Sequence, residues 1–89
     1  MFIYICIDVF VNINTLKYFI MTYEDLLENI GLKIKFYRQR MHLTQAEFSE
    51  KIDMDVRYLS DIECGKKNIT LKTLFKLVNF LNIDMKDVL

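Results

Sequence analysis

Val56, Arg57, Ser60, Asp61 and Cys64 fall on one side of a short helical segment, with no long apolar group among them. At ~100° per residue, Tyr58, Leu59, Ile62 and Glu63 fall on the other side. The first set offers a guanidinium, a hydroxyl, a carboxylate and a small apolar group. That is hydrogen-bonding chemistry suited to base edges on a groove floor, which a helix reads only at close approach. Arg57 can take guanine through a bidentate contact; a phosphate contact or an ion pair with Asp61 would use the same group. Asp61 can accept from the cytosine amino group, or it repels phosphate. Val56 can meet a thymine methyl. Ser60 is too short to choose among bases by itself.

The elements that must hold this face are written around it. Thr44 to Gly65 reads TQAEFSEKIDMDVRYLSDIECG. Thr44 is an N-cap with Glu47 three residues on, a capping box. Ala46, Phe48, Ser49 and Ile52 then supply a small or apolar inner face. Asp53-Met54-Asp55 makes the turn, and Asp55 can cap the helix that runs from Val56 to Glu63. Gly65 is a left-handed stop. A plain helical hairpin in a small bundle has the same periodicity. Ile30, Ile34, Tyr37 and Met41 also keep helical spacing, as do Leu71, Leu74, Phe75, Val78 and Leu81, and Thr70 and Asp84 are plausible caps.

The spelling LTQAEFSEKI followed by YLSDIECGKKNITLKTLFKLVNFLNI resembles the Xre/Cro-type helix-turn-helix family. The likeness runs from Gly31 to Leu89. It includes the LTQ entry to the second helix, the L-S-x-I-E-x-G-K string over Leu59–Lys66 and T-L-x-K-L over Thr73–Leu77. It implies a compact, all-α, five-helix, lambda-repressor-like domain over residues 22–89. Its helices would be Tyr23–Met41, Gln45–Ile52, Val56–Glu63, Leu71–Leu81 and Met85–Leu89. It also implies roles. Gln45, capped by Thr44, matches a position that grips a phosphate by its backbone N–H and side chain, as helix N-termini do. Val56, Arg57, Ser60 and Asp61 match base-facing positions, and Tyr58 one near the DNA backbone. Lys66 and Lys67 match a basic turn on phosphates. Arg38 and Glu63 match a buried ion pair.

Some positions depart from the family pattern. His42 and Asp53 stand where glycine is usual in two turns; both types tolerate positive φ better than most. Ile69 stands where many members have Pro. Asn68-Ile69-Thr70 and the Asp55-x-x-Tyr58 string resemble controller proteins of restriction–modification systems, which usually carry Arg where this chain has Val56.

Composition sets bounds on this reading. The 89 residues allow one domain, and 12 basic against 12 acidic residues leave no net charge. DNA-binding domains are usually more basic. The basic residues are clustered, however. Lys33, Lys35, Arg38 and Arg40 form one acid-free run, and Lys66, Lys67, Lys72 and Lys76 another, though a solvated helix face would look the same. Cys6 and Cys64 have no metal spacing, which fits a reduced cytoplasmic setting without zinc. No phosphate-cradling glycine loop or Ser/His/Asp set is written here, so neither cofactor nor enzyme is expected.

Residues 1–21 are a different kind of sequence. Ile3, Ile5, Ile7, Val9, Val11 and Ile13 alternate, a strand-like pattern. The segment could pair with its copy across a dimer, dock as an arm, or enter a membrane. Asp8, Asn12 and Asn14 weigh against a membrane. Translation could instead start at Met21.

The expected function is sequence-specific binding of double-stranded DNA by a homodimer on a two-fold operator, regulating transcription. Met85, Val88 and Leu89 are the first candidates for the dimer face, with Phe75 and Phe80 second. The competing expectation is an antitoxin or other regulator that keeps this fold but works through a protein partner.

Overall fold

A computed structural model of the chain describes residues 21–89. The alternating apolar segment lies outside the described residues, as does the expectation of a strand there. Four helices follow: α1 (Tyr23–Arg40), α2 (Gln45–Lys51), α3 (Val56–Glu63) and α4 (Leu71–Leu81). A single 3-10 turn, η1 (Met85–Asp87), comes last. The described residues contain no strand.

Caps and turns explain the boundaries. Thr22 and Asp25 form a reciprocal capping box at α1, at 3.1 and 3.3 Å. Thr44 and Glu47 repeat it at α2, at 3.1 and 2.9 Å. Thr70 accepts from the Thr73 N–H at the start of α4, at 3.1 Å. His42, Asp53 and Asn82 take positive φ (59°, 54° and 59°), and Gly65 stops α3 at 74°. His42 and Asp53 thus adopt the left-handed conformation that their place in the turns demands. Asp55 sits at the N-cap of α3 but makes no side-chain cap bond. The expected cap there is not formed.

The core is one cluster. Ile30 and Ile34 from α1, Phe48 from α2 and Ile52 just after it meet Leu59 and Ile62 from α3. Leu74, Leu77, Val78 and Leu81 from α4 close it, with Val88 from beyond η1. Phe80 packs on Phe48, ring centroids 5.4 Å apart. α1 packs against α3 and α4, and α2 against α3.

Two expectations are corrected. The fifth helix is a 3-10 turn, closed by Asp87 N–H to Asp84 O (2.9 Å) and Val88 N–H to Met85 O (3.1 Å). Val88, the residue after that turn, is fully buried in the core, so it cannot serve a dimer face. In α4, helical spacing linked Leu71 and Phe75 to the apolar stripe, but they are 72% and 60% exposed. The packed stripe is Leu74, Leu77, Val78 and Leu81, shifted round the helix by the position of α1.

Candidate nucleic-acid interface

α2 and α3 form a helical hairpin whose inner faces supply Phe48, Leu59 and Ile62 to the core. Burying one side of α3 leaves the other outward. Val56 is 41% exposed, Arg57 is exposed, and Ser60 and Asp61 are half-buried. Among the described residues, Arg38–Glu63 is the only ion pair, so Arg57 is not engaged by Asp61. Its five donors are free for an incoming ligand. Tyr58 is half-buried and packs against the core, with Cys64 exposed beyond it.

Beneath that face lies a polar knot. Arg38 is buried in the C-terminal half of α1 and Glu63 is the last residue of α3. Arg38 Nε donates to Glu63 Oε2 at 2.7 Å and Nη2 to Oε1 at 3.0 Å, a bidentate pair. Arg38 Nη1 donates to the Leu43 carbonyl at 2.7 Å, tying in the turn before α2. Gln45 Nε2 donates to Glu63 Oε1 at 2.9 Å. No buried side-chain polar atom among the described residues lacks a partner.

Thr44 and Gln45 therefore sit where α2 begins, but the Gln45 side chain turns inward to Glu63 rather than outward. Thr44 spends its hydroxyl on the Glu47 N–H. Lys66 and Lys67 are exposed just past Gly65. The structure thus places Val56, Arg57, Ser60 and Asp61 on one outward face of α3. It places Arg38, Glu63 and Gln45 together inside.

Sequence reading missed Gly31. A Cβ there would lie 2.3 Å from the Ile62 carbonyl oxygen and 2.7 Å from that of Glu63. α1 can approach the C-terminal end of α3 this closely only through glycine. A glycine inside a helical pattern was the available signal. No group of His, Cys, Asp or Glu among the described residues could hold a metal ion. No described helix is long and apolar enough to cross a membrane.

A small all-α domain with a capped hairpin and an outward polar face on its second helix is the architecture of helix-turn-helix DNA-binding modules. The family model described as Helix-turn-helix matches residues 34–88. The chain is 36% identical over 58 residues to the ImmF control region 10 kDa protein of Bacillus phage phi105, an alignment covering 65% of this chain and 64% of that one. It is 35% identical over 65 residues to control protein C.MunI of a Mycoplasma species, covering 72% and 88%. It is 32% identical over 56 residues to an HTH-type transcriptional regulator of Methanocaldococcus jannaschii, covering 63% and 85%. No solved structure matches. The chain belongs to the Xre/Cro-type helix-turn-helix family, a family of DNA-binding transcriptional regulators.

Proposed function

We propose that this protein is a sequence-specific regulator that binds double-stranded DNA as a homodimer in the cytoplasm, with residues 22–89 as its DNA-binding domain. The observation that carries the reading is the outward face of α3, where Arg57 is exposed and free of Asp61. With α3 in the major groove, Arg57 takes guanine, Val56 meets a thymine methyl, and Ser60 and Asp61 face neighbouring base edges. Thr44, the Gln45 backbone N–H, Tyr58, Lys66 and Lys67 lie towards the phosphates on either side. The function needs no cofactor and assigns no catalytic step.

A two-fold dimer would set its two α3 helices about 34 Å apart on a two-fold operator. Leu71 and Phe75, both strongly exposed on α4, are the surface we assign to the dimer contact in place of Val88. The likeness to a protein named control protein C.MunI favours a restriction–modification controller within this reading. The same exposed pair would also serve an antitoxin-like regulator that meets a protein partner.

In-vitro selection from random duplex DNA tests the proposal, run on Met1- and Met21-started chains in parallel. The expected result is an enriched two-fold motif. No enrichment from either chain at low salt would turn the reading towards a protein partner.

A further inference from the structure

We infer that the side chain of Gln45 is a positioning group for base reading, acting through Glu63, while its backbone N–H keeps the place towards the phosphates proposed above. The inference rests on the DNA-binding reading above. It starts from how α3 is held. The helix has eight residues, and its N-cap residue Asp55 gives no side-chain bond. Val56 and Arg57 therefore stand at an end without a side-chain cap. The buried residues of α3 are Leu59, Ile62 and Glu63. Leu59 and Ile62 are apolar anchors, and apolar packing is not directional. Glu63 is the one polar anchor of the three, and its direction is set by its donors.

Those donors come from two elements. Arg38 supplies two bonds from α1, and Gln45 supplies the third from the first position of α2. The Gln45 bond is thus a direct polar link between α2, the helix placed against the phosphates, and the far end of α3. The lever is long. Arg57 is six residues from Glu63, ~9 Å along the axis, so a tilt of ~10° about that end moves it by ~1.5 Å. Such a displacement breaks a bidentate contact to a base while leaving flexible lysines able to follow a phosphate.

One Nε2–H of Gln45 is held at 2.9 Å by the buried Glu63 carboxylate. The positioning role and the direct-contact role therefore predict different losses. Loss of a phosphate contact weakens binding to every duplex equally. Loss of the positioning bond weakens only binding that depends on where Arg57 sits.

The test measures affinity for the selected operator and for a scrambled duplex of equal length, at one salt concentration. It uses wild type, Gln45→Ala and Gln45→Met, both of which keep the backbone N–H that faces the phosphates and remove only the side-chain amide; the methionine keeps the stem if alanine disturbs folding, which circular dichroism reports. The expected result is a loss of about tenfold in operator affinity, the scale of one charge-assisted hydrogen bond, with scrambled-duplex affinity unchanged within about twofold. An equal loss on both duplexes would overturn the inference in favour of a direct phosphate contact. No loss on either would overturn it by making the bond idle. A wild-type chain that prefers no duplex would instead bring down the DNA reading, and this inference with it.

Discussion

Arg38 and Glu63 show how much one buried pair decides. Their side chains are 7% and 2% exposed, and their bonds reach α1, α3, Leu43 and Gln45. Removing one partner leaves a charge desolvated and unpaired. Arg38→Ala is expected to cost about 3–5 kcal/mol in chemical denaturation, while the double replacement Arg38→Met with Glu63→Leu costs far less. At the surface the expected effects are on binding. Lys66→Ala and Lys67→Ala should each flatten the slope of log affinity against log salt by about 0.9 and weaken all duplexes alike. The identities in this knot were legible through the family spelling, since Arg38 and Glu63 keep their places in it. The Gln45 bond was not. Gln45 and Glu63 are 18 residues apart, and local spacing contains nothing about which way an amide at a helix start will turn.

At the scale of elements, the capping box at Thr44 places the start of α2 to the residue, because a cap is a local interaction. The positive φ at His42 and Asp53 was legible through the family pattern, which usually places glycine in those two turns. What local pattern could not settle was which apolar positions are covered. Leu71 and Phe75 fit the helical period, yet coverage depends on where the neighbouring helices lie. Asp55 shows the converse, a residue of capping type at the capping position whose side chain makes no cap bond. Gly31 is an element-scale residue too, since it sets how closely α1 approaches α3. Gly31→Ala should destabilise the fold by about 1–3 kcal/mol, read as a lower denaturant midpoint with unchanged slope.

The whole molecule has no net charge, so attraction to DNA depends on how its 12 basic and 12 acidic residues are distributed. A single α3 with one exposed arginine offers few base contacts. Two copies on one duplex gain by effective concentration what one copy lacks. In the dimer proposed above, the exposed Leu71 and Phe75 would give that pairing an apolar surface. Phe75→Glu should sediment as a monomer at concentrations where wild type is dimeric, and should bind a full operator little better than a half-site. A variant that stays dimeric would move the contact to another face.

The central claim is that the outward face of α3 reads bases through Arg57. Selecting duplex motifs in parallel with wild type and Arg57→Ala tests it directly. The account predicts a two-fold motif from wild type, and the same motif from the variant with preference lost at one position in each half-site. An identical motif from both chains would contradict it.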